Sequence, residues 1–303
     1  MIQRWIANRD FVKVEPIHQG WSHDLKFKVT TQDGRKQLLR ISSVSRLEER
    51  KAQYEYMERF AKVSHACQVP IEFGSIPMSD YIYTLVTYME GEPLEKVIET
   101  LSKDTQYELG LQAGQILRTF HDISVEKNHQ DIMQRLIDKK LRQMEIYEQS
   151  DYRMKNDQTM IDYVKENIHI LSNQPAVYQH GDFHIGNFIY TNQQKLGIID
   201  FDRSDIGDPY EEFLKLSYFT REKSIPLAIG QIHSYFQGTI PSKFWDILKV
   251  YVFHTSLHSI IWAANYSEAD VKAMVERYEQ VLVDYEYGKR LKPLWWTESE
   301  RIK

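Results

Sequence analysis

The apolar residues of this chain change their period once, at residues 90–93 (Glu-Gly-Glu-Pro), and that change limits the folds open to it. Ahead of it, residues 11–18, 25–30, 37–41 and 81–89 read as strands. Gln32-Asp33-Gly34 reads as a hairpin turn between two of them, because Gly accepts positive φ cheaply. Residues 45–62 alone in this part repeat their apolar positions at helical spacing, and Pro70 and Gly74 punctuate their end. Beyond the break the pattern is helical. Leu109, Ala113, Ile116, Leu117 and Phe120 form one stripe, and two polar helices are expected over 131–148 and 160–171. Four further helical segments end with 267–288, where Val271, Met274, Val275, Tyr278, Val281, Leu282 and Tyr285 share a face. Strands return only within 177–202.

Composition narrows the classes. A chain of 303 residues has room for one or two domains. With 42% hydrophobic residues, 13 Gly and 9 Pro it is neither disordered nor fibrous. A net charge of −5 argues against a general nucleic-acid binder, which needs a basic face. Cys67 is the single cysteine, which excludes an intramolecular disulfide and a Cys-rich zinc site. The first ten residues lack the apolar core of a secretory signal, and 250–264, interrupted by His254 and His258, is too short to span a bilayer. The expectation is a cytoplasmic protein with no membrane partner.

The chemistry is concentrated in His180-Gly-Asp-Phe-His-Ile-Gly-Asn187 and Leu196-Gly-Ile-Ile-Asp-Phe-Asp202. Phosphoryl transfer asks for a carboxylate to orient and deprotonate the attacking hydroxyl, and for oxygen ligands that hold magnesium against the phosphates. Asp182 and Asn187 are five residues apart, the spacing of the Asp and Asn of a kinase catalytic loop, and Asp200 follows a buried apolar run. A hairpin with Phe188 opposite Ile199 and Tyr190 opposite Gly197 would set Asn187 directly across from Asp200, where one cation could bridge them. Asp and Asn are also ordinary turn residues. The turn explanation leaves unexplained why a hairpin joins this loop to a second Asp.

These two segments resemble the aminoglycoside phosphotransferase family of small-molecule kinases. The likeness extends to the opening strands, to Leu85-Val-Thr-Tyr-Met-Glu-Gly-Glu-Pro-Leu94, to Leu117-Arg-Thr-Phe-His121 and to Gly207-Asp-Pro-Tyr-Glu-Glu-Phe213. It implies an α+β, protein-kinase-like bilobal fold. A small antiparallel β-sheet lobe with one main helix would bind nucleotide over 1–89, and 90–93 would be the hinge. A larger, mostly helical catalytic and substrate-binding lobe would follow over 94–303. It implies Asp182 as catalytic base, Asn187 and Asp200 as magnesium ligands, and His180 as a scaffold residue of the loop. ATP or GTP would be the co-substrate, a hydroxylated small molecule the acceptor, and the protein a monomer or weak dimer. The hinge 86–89 would receive the nucleotide base, with Thr87 and Met89 among its contacts, and the turn carrying Gly20 and Ser22 would cover the phosphates. Two positions depart from the family. Arg40 stands where a Lys normally holds the α- and β-phosphates, a role a guanidinium can keep. Gln53 stands where the following helix normally offers a Glu, with Glu49 one turn earlier as the alternative partner of Arg40.

Other candidates have plainer explanations. His180 and His184 lack a helix and a third ligand, so no zinc is expected. Asp208 with Glu211 matches a helix cap, Asp202 and Asp205 match solvated loop acids, and Trp245 and Trp262 match core. The Arg40 and Gln53 departures also motivate a rival, a nucleotide-binding module with little transferase activity.

Overall fold

Strands dominate the start of the chain and helices the remainder in the computed structural model, which describes residues 2–18 and 24–301. A short helix unanticipated from sequence, α1 (Ile2–Ala7), precedes β1 (Phe11–Ile17), β2 (Leu25–Thr31) and β3 (Lys36–Ser43). Then come α2 (Leu47–Val63), β4 (Pro70–Ser75), β5 (Tyr81–Thr87) and β6 (Gly91–Pro93). The first five strands form one antiparallel sheet in the order β1-β2-β3-β5-β4. Of these five the strand missed from sequence is β4; β6, inside the expected break, was missed as well. Pro70 and Gly74 of β4 read as punctuation, yet β4 lies at the sheet edge, where a residue without an N–H is tolerated.

Alternation gives this sheet two faces. Val29, Leu39, Ile41, Tyr83 and Leu85, with Phe27, pack against Ile2, Trp5 and Ile6 of α1. The opposite face carries Lys26, Arg40 and Ser42 and is met by α2, whose Arg50 donates from Nε to Ser42 Oγ at 3.2 Å.

The chain continues through α3 (Leu94–Val97), α4 (Lys103–His121), α5 (His129–Glu148), α6 (Gln158–Asn167) and β7 (Val177–Gln179). The hairpin β8 (Phe188–Thr191) and β9 (Leu196–Ile198) is next, then β10 (Asp205–Gly207), α7 (Arg221–Lys223), α8 (Ile225–Phe236), α9 (Lys243–Ala264) and α10 (Glu268–Asp284). Two compact units result: Met1–Pro93 with Asn187–Ser204, and Leu94–Gly186 with Asp205–Lys303. The first unit therefore reclaims a late segment. β6 pairs with β8, and the Ile198 N–H donates to the Ala66 carbonyl at 2.7 Å. A linear boundary could not express this return.

In the second unit α4 and α8 approach backbone to backbone. A methyl group at Gly114 would collide with the Gln231 carbonyl, and one at Gly110 with that of Leu227. Leu109, Ala113, Leu117 and Phe120 of the expected stripe are buried beside them, and Tyr278, Val281, Leu282 and Tyr285 are buried on α10 and at its end. The long helix α9 is apolar around most of its circumference and forms the centre of this unit. No described helix is long and apolar enough to cross a membrane.

Candidate active site

In the second unit, pairing of β7 with β10 delivers the chain into the loop 180–186. His180 is fully buried. Its Nδ1 accepts the Asp182 N–H at 3.2 Å, and its ring meets Phe183 edge-on. Gly181 takes φ +79°, a conformation that favours glycine, and its N–H donates to Glu212 Oε1 at 2.8 Å. Phe183 is buried against Phe120, and the Ile185 N–H reaches Thr220 Oγ1 at 3.4 Å. Side chains thus fix the loop on several sides, while the Asp182 carboxylate keeps 21% of its surface exposed. Burial pushes the Glu212 carboxyl up to about 7, against the opposing pull of the Gly181 N–H and Lys215.

Two basic groups flank Asp182. Lys215 Nζ lies 2.6 Å from Oδ1, and His184 Nε2 lies 3.5 Å from Oδ2. The Gly186 N–H donates to His184 Nδ1 at 3.1 Å, which assigns the proton of a neutral imidazole to Nε2, the nitrogen facing Asp182. His184 stacks on Phe219 with centroids 4.5 Å apart, and the Arg277 guanidinium lies over the same ring at 4.9 Å. Phe219 and Thr220 belong to a π-helical turn, Leu216–Thr220, which begins immediately after Lys215. Such turns gather at functional sites.

In the first unit, the hairpin differs from expectation by one residue. Phe188 pairs with Ile198, Ile189 with Gly197 and Tyr190 with Leu196. The cause is the turn: Thr191 N–H donates to the Lys195 carbonyl at 2.9 Å, and Gln194 closes the tight loop at φ +58°. Asn187 accordingly faces Ile199, whose N–H donates to the Asn187 carbonyl at 3.0 Å, and Asp200 lies one residue beyond. Continued alternation would turn Asp200 to the face opposite Asn187. Asp200 instead adopts φ +66°, a left-handed conformation rare for a non-glycine residue, and its side chain is exposed. Asn187 is 8% exposed.

The surroundings of Arg40 are also rearranged. Its close partner is Asp202 Oδ1, with Asp24 Oδ2 3.7 Å from Nε. Gln53 does not bond Arg40. It accepts from Arg50 Nη1 and donates to the Asp202 carbonyl at 2.7 Å, while Glu49 is engaged by Arg46 at 2.5 Å. The helix side chain that reaches this acid is Arg50, 2.9 Å from Asp202 Oδ1 and in close contact with Asp24. The family's basic-strand, acidic-helix pair is thus replaced by two arginines sharing two aspartates. Asp202 is no solvated loop acid: burial raises its pKa, but Arg40 and Arg50 outweigh burial and hold it below the usual range. Burial likewise opposes the Arg40 charge, and Asp202, Asp200 and Asp24 more than offset it. Beside Arg40, burial and the Arg40 charge lower the pKa of Lys26.

Gly20 and Ser22 lie outside the described residues. Thr87 is committed to the sheet edge: its N–H donates to Val69 O, its Oγ1 accepts from Val69 N, and its carbonyl accepts from Gln68. It therefore offers little backbone to a base. Met89 has no hydrogen bond among the described residues, and its side chain packs against Gly197. Asp208 accepts the Tyr210 N–H at 2.8 Å, but the expected capping box does not form: the helical turn begins only at Glu211, with Tyr210 at its cap position, and Glu211 turns away to Lys140 at 2.7 Å. Trp245 is buried.

Sequence reasoning did not single out Asp24, Arg50, Lys215 or Lys26, and it read Asp202 as a solvated loop acid. One signal was available: Arg50 precedes Gln53 by three residues, so the two share a helix face.

The sequence profile of the Phosphotransferase enzyme family matches residues 13–245. No curated protein matches the chain in sequence. Among solved structures, the GDP complex of aminoglycoside 2'-phosphotransferase-IIIa is similar with a TM-score of 0.67 at 16% identity, covering 92% of this chain and 95% of that one. A choline/ethanolamine kinase family protein from Mesorhizobium loti gives 0.65 at 18% identity, covering 94% and 93%. Amicoumacin kinase in complex with AMP-PNP, calcium and its ligand gives 0.62 at 14%, covering 92% and 90%. The fold is that of aminoglycoside kinases, with a small antiparallel sheet and a mostly helical remainder.

Proposed function

The chain belongs to the Phosphotransferase enzyme family, and from that premise we propose that it transfers the γ-phosphoryl group of ATP or GTP to a hydroxyl of a small molecule. Asp182 orients the acceptor hydroxyl and takes its proton. The loop that carries it is pinned by His180, Glu212 and Phe183, so the carboxylate is pre-positioned. Lys215 Nζ, 2.6 Å from Oδ1, helps to hold the Asp182 carboxylate in place. Arg40 steadies the phosphates, with Asp202 orienting its guanidinium. Met89 offers its free backbone groups to the base.

The observation that carries this reading is the hairpin of β8 and β9, which leads from Asn187 to a strained, exposed Asp200. Strain held at a polar residue beyond a strand end points to function. An amide oxygen and a carboxylate form the hard donor set that suits magnesium, which keeps most of its shell for phosphates and water. Asn187 and Asp200 would hold that ion. When bound, magnesium supplies charge neutralisation at the phosphate oxygens.

The charge around Asp182 leaves the acceptor class open. Lys215 is paired with Asp182 at 2.6 Å and Arg277 with Glu222 at 3.0 Å, so the charges around Phe219 are balanced and select no charge class of acceptor. The Arg40 and Gln53 departures motivate the rival nucleotide-binding module, and the Asp202 carboxylate beside Arg40 supports the transferase reading against it.

The test is a screen of hydroxylated antibiotics and metabolites of each charge class, with ATP and with GTP, for acceptor-dependent release of ADP or GDP. Nucleotide binding without release for any acceptor would favour the rival. Absence of nucleotide binding would remove both.

A further inference from the structure

We propose that Lys26 is a second phosphate anchor, working beside Arg40 on one face of the β1–β5 sheet. The proposal rests on the kinase reading above. Lys26 on β2 and Arg40 on β3 are direct cross-strand partners, so their side chains leave the same face of the sheet.

The two cations differ in what they already hold. Arg40 is committed to Asp202, with Asp24 close by. Lys26 is half-buried, and among the described residues its side chain has no hydrogen bond and no carboxylate within ion-pair distance, although Asp200, Asp202 and Asp24 act on it from farther off. Three neighbouring lysines of this sheet are each satisfied. Lys13 pairs with Glu15 at 2.9 Å, Lys36 with Glu90 at 2.5 Å, and Lys28 lies over the Tyr88 ring at 4.6 Å. Partial burial of an ammonium without a partner is unfavourable. A half-buried ammonium beside a guanidinium, whose neighbouring acids Asp24 and Asp202 are already engaged by Arg40, Arg46 and Arg50, is built to receive an anion.

The geometry divides the labour. Arg40 spends part of its fork on Asp202 and presents the remainder, while Lys26 brings three unspent donors on a flexible stem. A polyphosphate chain has enough oxygens to take both. No other residue on β2 supplies this, because Lys28, its one other lysine, is drawn to Tyr88.

The experiment measures binding by calorimetry for the wild type, Lys26→Met, Lys26→Arg and, as a control, Lys28→Met. The probes are magnesium-ATP, magnesium-GTP, the nucleosides adenosine and guanosine, and magnesium tripolyphosphate. Lys26→Met is expected to weaken the triphosphates by about tenfold or more, the worth of a charge-assisted hydrogen bond. It should leave nucleoside affinity unchanged. Lys26→Arg should recover most of the loss, Lys28→Met should show little, and all variants should melt near the wild type. Triphosphate affinity of Lys26→Met equal to wild type overturns the anchor while leaving the kinase reading intact. A wild type that binds tripolyphosphate through Lys26 but binds no nucleotide keeps the anion site and removes the kinase. A wild type that binds none of the probes overturns both, and a loss in Lys26→Met that extends equally to nucleosides overturns the anchor alone.

Discussion

Replacing Asp202 by Asn should destabilise the protein by about 2 kcal/mol near neutral pH, and the figure follows from what the carboxylate touches. Asp202 Oδ1 takes Arg40 in close contact and Arg50 at 2.9 Å. Arg50 has only 2% of its side chain exposed, so its charge cannot turn to water when the acid is removed. Deleting one partner of a buried pair costs roughly 3–5 kcal/mol. Two features reduce that here. Asp202 retains 25% side-chain exposure, and Asp24 remains as a second acid for both arginines. About 2 kcal/mol is left after that discount for screening. Equilibrium urea unfolding of the two proteins measures it, and a double-mutant cycle with Arg40→Met should return a coupling of about 1 kcal/mol or more. The sign with pH is fixed. The arginines hold the Asp202 carboxyl below its usual value, so its contribution is present above the ordinary Asp range and is lost as pH falls through the lowered folded value. The gap between wild type and variant should therefore close in acid. A change within about 0.5 kcal/mol at pH 7, the range of an ordinary surface substitution, would refute the two-arginine, two-aspartate cluster as a structural unit.

Asp182→Asn should lower transfer by roughly 10²–10⁴ with nucleotide affinity nearly intact, whereas Asp200→Asn should weaken magnesium-dependent nucleotide binding; equal loss of affinity in both, by calorimetry, contradicts the division of roles. Gly114→Ala should cost about 1–3 kcal/mol, because the new methyl meets the Gln231 backbone and not a movable side chain, and an unchanged urea midpoint would contradict the close α4–α8 approach. Asp208 is fully buried and pushed up to about 7, above its unfolded value, so its folded form holds a proton that the unfolded chain releases. Stability should fall as pH rises from about 4 to 7, and Asp208→Asn should flatten that slope by an amount on the order of 3 kcal/mol. Parallel pH profiles for variant and wild type would show the proton is not there.

The fold was legible because its cues are local. Period-2 alternation ahead of residues 90–93 and helical stripes after them depend on neighbours a few positions apart, and they marked nearly every long element. β4 escaped because edge position, which excuses Pro70, is a tertiary fact. The motif 180–187 with Asp200 was legible for the same reason, since spacing along a loop and a hairpin is written in order. The register of that hairpin was not. It depends on Gln194 closing a short turn in a left-handed conformation, which no residue preference at that position announces. Least legible was the charge cluster. Arg40, Arg50, Asp24 and Asp202 come from a strand, a helix, a turn and a segment some 160 positions away, with Arg40 and Asp202 separated by 162 residues. Sequence supplied four charges whose attraction falls off within a few ångströms in water, and only the folded chain, by burying them together, decided which pairs with which.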